Sequence, residues 1–114
     1  MTSIYHMADR AAWDAAQAAG TYAGTPQDRA DGFIHFSTAA QVAESAAKHR
    51  KGAKNLVLLV VGAEALGAAL RWEPARGGQL FPHLYGTLPI AAVRAVHDLP
   101  LDADGRHVFP PLCA

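Results

Sequence analysis

One seven-residue stretch, residues 32–38 (GFIHFST), most constrains what this chain can fold into. Its aromatic and β-branched residues favour a strand, in which alternate side chains point to opposite faces, so that His35 and Ser37 share one face. Thr38 and Gln41 then match the two ends of a capping box, where side chains bind free N–H groups at a helix start. The stretch therefore predicts a histidine on a short strand that leads into a helix N-terminus, a place suited to a polar ligand.

Length and charge exclude several classes of protein. At 114 residues, 51% of them hydrophobic, the chain has the size and composition of one folded domain rather than a disordered tail. Ten basic and ten acidic residues give a net charge of zero, without the basic stripe typical of nucleic-acid binders. We interpret the basic run at residues 48–51 as a helix C-terminus whose charge suits the helix dipole, with a nucleic-acid patch as the less favoured alternative.

The expected location is the cytoplasm. No apolar run approaches the ~20 residues needed to cross a bilayer, so no membrane partner is expected. Residues 1–4 (MTSI) lack the basic and apolar regions of a secretory signal. Cys113 is the one cysteine and cannot form an internal disulfide.

The remaining segments predict an α+β fold in a single domain spanning residues 1–114, with a core at 4–99 and an extended tail at 102–114. Residues 56–61 show no polar alternation, which predicts a strand buried on both faces. Pro82 lacks an N–H donor, which predicts an edge position or the start of a strand. We predict strands at 3–7, 32–38, 56–61, 70–73, 80–86 and 93–99, main helices at 11–19 and 38–49, a loop at 21–31, and single helical turns at 62–66 and 87–92.

Histidine usage provides the functional prediction. The chain lacks the common phosphate-binding, metalloprotease, Cys-x-x-Cys and Gly-x-Ser-x-Gly motifs. Three of its six histidines, His6, His35 and His83, fall inside strand-like apolar segments. A single histidine in that setting is more often a core residue than a functional one. Three buried imidazoles all need hydrogen-bond partners, and one shared pocket would supply them.

Five segments of the chain together resemble a known protein family, over about residues 4–99. In this order and spacing they resemble a small bacterial family catalogued as domain of unknown function 952, whose fold is similar to that of the ADP-ribosyltransferases. The resemblance implies a split, mixed or antiparallel sheet with two main helices around an NAD cleft, and places His6, His35 and His83 along one groove. The segments are IYH at 4–6, GFIHFS at 32–37, LVLL at 56–59, RWE at 71–73 and FPHLYG at 81–86.

The resemblance also implies roles for individual residues, with NAD as a substrate. In such enzymes a first-strand residue holds NAD, which here would be His6, and a second-strand residue supports the nicotinamide side, which here would be His35 or Ser37. The third position usually carries a glutamate that steadies the transition state. His83 stands there instead, as in the tRNA 2′-phosphotransferase branch that also lacks the glutamate, and Glu73 on the preceding strand could serve. Further nucleotide contacts are expected from Tyr5, Phe33, Thr38, Arg71 and Tyr85.

Three functional hypotheses follow. The first is an NAD-consuming transferase or hydrolase with Glu73, His83 and His35 as catalytic residues. The second is a module that binds a nucleotide or nucleotide-like small molecule without chemistry. The third is a histidine metal site, which is least favoured because the three histidines lack short ligand spacing, so no metal is expected. The acceptor and the oligomeric state stay open at this point.

Overall fold

The fold is mixed α and β with antiparallel sheets, and the computed structural model describes residues 2–75 and 77–112. Cys113 lies outside the described residues. Among the residues described, no helix is long and apolar enough to cross a membrane. The elements are β1 (Ser3–Asp9), α1 (Arg10–Ala19), β2 (Thr21–Tyr22), α2 (Pro26–Asp31), β3 (Ile34–His35), α3 (Val42–His49), β4 (Leu56–Gly62), β5 (Leu70–Ala75), β6 (Gln79–Leu84), β7 (Leu88–Pro89) and β8 (Val93–Leu99), with 3₁₀ segments at Ala63–Ala69 and Ile90–Ala92.

Two three-stranded sheets form the framework. The first has the order β1-β4-β8 and the second β3-β6-β5, while β2 and β7 pair separately; every pairing is antiparallel. The two larger sheets meet at one residue pair, where the N–H groups of Tyr5 and Ser37 each donate to the other's carbonyl oxygen at 2.8 Å. This junction brings the C-terminal end of β3 alongside β1.

Strand β4 is buried on both faces, as its apolar run predicts. On one face Leu59 joins the larger core cluster with Ile4 and Trp13. On the other face Leu58 joins a smaller cluster with Tyr5. The opposite placement of Ile4 and Tyr5 is the strand alternation predicted for β1.

The first helix follows its prediction closely. Its alanine-rich sequence has high helix propensity, and Trp13 and Ala16 are its buried residues. Gly20 ends it in the left-handed conformation, with φ 89°, and its N–H donates to the carbonyl oxygen of Ala16. Glycine adopts this conformation without the steric cost that a Cβ would add.

The prediction of a loop at residues 21–31 is wrong. That segment contains β2 and α2, and Thr25 begins the helix with a complete capping box: its side chain accepts from the N–H of Asp28, and the Asp28 carboxylate accepts from the N–H of Thr25. Pro26 is the first helical residue, where its missing N–H costs nothing. Of the two residues that suggested a loop, Gly24 precedes the cap of a short helix and Pro26 is its first residue.

The start of one helix and the position of one strand in its sheet also differ from prediction. Helix α3 begins at Val42 rather than at Thr38, because residues 39–41 form a turn, although Gln41 Oε1 accepts from the Thr38 N–H as expected. Strand β6 is central, not an edge, although it contains Pro82. The Pro82 carbonyl oxygen accepts from the N–H of Phe36, which comes directly after β3. The N–H that proline lacks therefore lies beyond the last residue pair of β3 and β6, His35 with His83.

Two smaller predictions need correction. Residues 87–92 contain the short strand β7 as well as the expected helical turn. The tail is not simply extended over the surface: Leu101 bridges to His107, and His107 Nε2 contacts the carbonyl oxygen of Ala53 at 2.9 Å. Phe109 then packs against the smaller core cluster.

Candidate active site

A cleft of about 760 Å³ lies among β1, α2, β3, α3 and β6. It brings together the three histidines predicted to share a pocket, His6, His35 and His83. The described aromatic side chains that line it are Tyr5, Phe36 and Phe81, whereas Phe33 and Tyr85, also expected to contact a nucleotide, are not among the lining residues. The other polar residues that line it are Asp9, Thr25, Gln27, Asp28, Asp31, Ser37, Ser45, His49 and Arg50.

His6 is a buried support of this cleft. Its exposure is 4%, and its Nδ1 and Nε2 atoms lie 2.7 Å from the carbonyl oxygen of His35 and 2.8 Å from the hydroxyl of Tyr22. Burial lowers the pKa of His6 despite the nearby Asp28 carboxylate. The neutral ring therefore donates from Nδ1 and accepts the Tyr22 hydroxyl proton at Nε2. His6 is thus bonded to Tyr22 and to the backbone of His35 within the protein, and its contact with NAD stays a prediction.

Asp28 links the start of α2 to the histidines. Its Oδ2 accepts from the N–H of Thr25 at 2.8 Å, and its Oδ1 accepts from the N–H of His35 at 3.2 Å and from His35 Nδ1 at 2.5 Å. Burial alone would raise the pKa of Asp28, but the bonds from His35, the charge interaction with His6 and the bond from Thr25 outweigh it and lower the pKa. One ionised carboxylate thus caps a helix and orients an imidazole.

His35 is the imidazole most open to a ligand. Its side chain is 41% exposed, and a second carboxylate oxygen, Oδ2 of Asp31, lies 3.2 Å from its Nε2. The ring also contacts Phe33, with ring centroids 4.6 Å apart. His35 is therefore held on two sides by α2 while it faces the cleft.

His83 is buried, and its Nδ1 donates to Glu73 Oε1 at 2.9 Å. The same oxygen accepts from the hydroxyl of Tyr85 at 2.6 Å. These two bonds, from Tyr85 first and then His83, lower the pKa of Glu73, and the bond to Glu73 raises the pKa of Tyr85. Phe33 stacks on the His83 ring at 4.1 Å between centroids. The pair that was expected to compete for one catalytic position is in fact a hydrogen-bonded unit.

Other residues predicted from the sequence lie around the cleft. Arg71 was expected to contact a nucleotide; its guanidinium lies over the Tyr85 ring, 4.8 Å from the centroid. Ser37 lines the cleft, with its hydroxyl 3.0 Å from that of Ser45. Tyr5 is buried in the smaller core cluster and also borders the cleft. Thr38 lies beyond the strand, where its N–H donates to Gln41.

Sequence reasoning missed three residues that position the site: Tyr22, Asp28 and Asp31. All three lie in the segment interpreted as a loop. The order Thr25, Pro26, Gln27, Asp28 was the available signal, because an acidic residue three positions after a threonine cap matches a capping box with proline at its first helical position. No comparable signal pointed to Tyr22.

The hypothesis of a histidine metal site has no cluster to support it. In residues 2–75 and 77–112, no group of three or more histidine, cysteine, aspartate and glutamate side chains is arranged to hold a metal ion. The hydrogen bonds above give each of the three histidines another structural partner. An imidazole hydrogen-bonded to a carboxylate, as in His35 and His83, is a group that can transfer protons.

Acidification is expected to destabilise the protein, beginning with the protonation of buried His6. Because the folded pKa of His6 lies below 6.5, its contribution to stability is full above pH 6.5 and is lost as the pH falls toward the folded value. Thermal unfolding between pH 7.5 and 5 should show a falling Tm, and His6→Gln should flatten this dependence. His97→Gln, which changes an exposed histidine on β8, should retain the wild-type slope. Equal slopes in all three proteins would contradict the prediction.

Comparison with known proteins identifies relatives of the same size. The sequence profile of a family described as "Protein of unknown function (DUF952)" matches residues 7–96. The crystal structure of protein CC0527 from Caulobacter crescentus is 52% identical, covers 94% of each chain and has a TM-score of 0.91. A solution NMR structure of CC0527 is 54% identical, covers 93% of this chain and 91% of that one, and has a TM-score of 0.83. No curated protein sequence matches significantly. Because the profile spans most of the chain, this protein belongs to the DUF952 family.

Proposed function

We propose that the cleft is the active site of a transferase or hydrolase that cleaves the N-glycosidic bond of a nucleotide, with NAD as the first candidate substrate. One observation carries the proposal: two imidazoles, those of His35 and His83, meet in one cleft, and each is hydrogen-bonded to a carboxylate. Carboxylate-held imidazoles are suited to moving protons in a reaction. The cleft volume also falls within the range of small-molecule sites.

The charge of the cleft supports glycosidic chemistry. When nicotinamide leaves NAD, positive charge develops on the ribose, and a carboxylate placed beside it stabilises that state more than the bound substrate. Asp31 lines the cleft, and Glu73 lies behind His83. In hydrolysis, the C1′–N bond breaks with its electron pair going to nicotinamide, water oxygen bonds to C1′, and an imidazole takes the water proton. His35 and His83 are the proposed catalytic residues, and Glu73 acts through His83.

The fold adds support by resemblance. We infer an ADP-ribosyltransferase-like arrangement because the framework is split into two sheets and the histidines expected to lie along the groove are on β1, β3 and β6. The Phe33–His83 stack and Arg71 over Tyr85 offer planar surfaces next to the cleft. A small nucleotide in the cytoplasm is the proposed ligand, with no metal cofactor, membrane or nucleic-acid partner.

Release of nicotinamide from NAD by the purified protein, with and without candidate acceptors, tests the proposal. His83→Ala and Glu73→Gln should each lower turnover by about 10²–10³, since the first removes the general base and the second the carboxylate that supports it. His97→Gln is the matched control, since His97 lies on β8 outside the cleft. NAD or ADP-ribose should also raise the Tm of the wild-type protein.

A non-catalytic binding module is the second candidate, because His6 and Asp28 are engaged in bonds within the protein rather than directed at a substrate. A rise in Tm with NAD, without release above the spontaneous rate and without an effect of either substitution, would favour binding alone. Neither binding nor release would overturn both candidates.

A further inference from the structure

The two imidazoles at the centre of the cleft are directly paired neighbours on adjacent strands. His35 on β3 lies opposite His83 on β6, and their ring centroids are 5.5 Å apart in an edge-to-face contact. Groups from several elements face them. The His35 ring meets Asp28 and Asp31 of α2 and the ring of Phe33, while the backbone carbonyl of His35 accepts from His6 Nδ1. The His83 ring meets Glu73 of β5 and the ring of Phe33. A single bound molecule can therefore contact both rings.

The carboxylates around the two rings are unequal. His35 has a carboxylate oxygen at each ring nitrogen, 2.5 Å from Nδ1 and 3.2 Å from Nε2. Carboxylate oxygens only accept hydrogen bonds, so this setting accommodates a ring with both nitrogens protonated. His83 has a carboxylate at Nδ1 alone, which leaves its Nε2 as an acceptor when Nδ1 donates to Glu73. The pair thus combines a proton donor with a proton acceptor.

Charge in the cleft narrows the substrate class. The described lining residues include the carboxylates of Asp9, Asp28 and Asp31, and Arg50 is the one arginine or lysine among them. Its guanidinium already donates to Asp9 at 3.0 Å. Such a lining suits a substrate that becomes positively charged in the transition state better than one that carries several phosphates.

We propose that His35 protonates the departing base while His83 deprotonates water, so that within the proposed cleavage of N-glycosidic bonds the cleft prefers neutral purine ribosides, as nucleosides or monophosphates, to NAD. This inference rests on the proposed function, because it names the substrate class of the same site. Nicotinamide leaves NAD without needing a proton, whereas a neutral purine leaves readily only when protonated. A proton donor beside the leaving base is therefore required for a neutral purine but not for nicotinamide.

The step balances. Water oxygen bonds to ribose C1′ as the bond from C1′ to the purine nitrogen breaks, and the electron pair of that bond goes to the purine. Nε2 of His35 gives its proton to the purine, and Nε2 of His83 takes one proton from water. The products are free purine and the ribose or ribose phosphate, and solvent returns both rings to their starting states.

Guanosine and 7-methylguanosine form the decisive substrate pair, because the methylated base is already cationic and leaves without protonation. Release of the free base from each is measured by chromatography for the wild type, His35→Gln and Asp31→Asn. We expect the ratio of the guanosine rate to the 7-methylguanosine rate to fall about 100-fold in His35→Gln. The ratio should fall less in Asp31→Asn, because Asp31 is partly exposed and its loss only weakens His35 as a proton donor. This variant tests the inference if His35→Gln does not fold. His97→Gln should leave the ratio unchanged.

Three outcomes would overturn the inference. An unchanged ratio in both His35→Gln and Asp31→Asn would remove the role of His35 as the donor to the leaving group. Nicotinamide release from NAD without base release from guanosine or its monophosphate would overturn this inference and leave the proposed function standing. Cleavage of neither NAD nor any purine riboside would overturn both.

Discussion

Replacing Asp28 with asparagine is expected to lower the free energy of unfolding by about 2–4 kcal/mol, the range for breaking a buried charged hydrogen-bond network. The Asp28 side chain is buried, and its two oxygens accept from Thr25 N–H, His35 N–H and His35 Nδ1. An asparagine side chain offers one acceptor oxygen, so its NH₂ group would face an N–H donor. The same change should also lower turnover in the proposed reaction, because His35 loses its orienting partner.

Urea unfolding at pH 7, read as the shift of the midpoint at constant slope, measures the effect on stability. Asp14→Asn, at an exposed position on α1, is the matched control and should change stability by less than about 0.5 kcal/mol. The pKa of Asp28 is lowered in the folded protein, so its contribution to stability is full above pH 3.8 and is lost as the pH falls through the folded pKa. The difference between wild type and Asp28→Asn should therefore shrink in strong acid. Equal effects of the two substitutions at pH 7 would contradict this account.

Replacing Gly24 with alanine is expected to destabilise the fold by about 2–5 kcal/mol, combining backbone strain with overpacking. Gly24 has φ 91°, a conformation that L side chains rarely adopt. A Cβ there would lie 2.7 Å from Asp28 Cβ, 2.8 Å from Asp28 Oδ2 and 3.1 Å from Ile34 Cγ1. Relief of these contacts requires Asp28 to move, which would break its bonds to Thr25 and His35.

Gly20→Ala separates the two causes. Gly20 has nearly the same φ, 89°, but a Cβ there meets nothing within 4 Å, so only the backbone cost of about 1–2 kcal/mol remains. The difference between the two variants in urea unfolding measures the clash with Asp28. The His35 imidazole signals in NMR spectra should shift in Gly24→Ala and stay in place in Gly20→Ala. Equal losses of stability would show that the close approach to Asp28 has no energetic consequence.

Segments with strong periodicity or composition could be predicted from the sequence. The bounds of β8 at Val93–Leu99 match the prediction, β4 is buried on both faces, and α1 ends at Gly20. Helix α2 was missed because Gly24 and Pro26 were interpreted only as breakers of regular structure. In the fold, Pro26 starts the helix and Gly24 makes room for its cap. The same two residues can therefore indicate either a loop or a helix start, and only the capping pair of Thr25 and Asp28 distinguishes the two.

The histidines of the site could be found from sequence because each stands out in an apolar strand. Their partners could not be found in the same way. The Tyr22 hydroxyl reaches His6 across 16 positions in sequence, and Glu73 reaches His83 across a strand pair. Such pairings depend on the sheet register and on how α2 packs, and neither is encoded in local periodicity.

The junction between the two sheets has a consequence for how the cleft can open. Tyr5 and Ser37 join the sheets through two backbone hydrogen bonds at one residue pair, next in sequence to His6 and two positions after His35. In contrast, β1 is paired with β4 along all seven of its residues. Local opening takes place where few bonds must break together. The Tyr5 and Ser37 amide protons should therefore exchange with solvent deuterium before those of β4, and their exchange rates would report how easily a molecule gains access to the histidines.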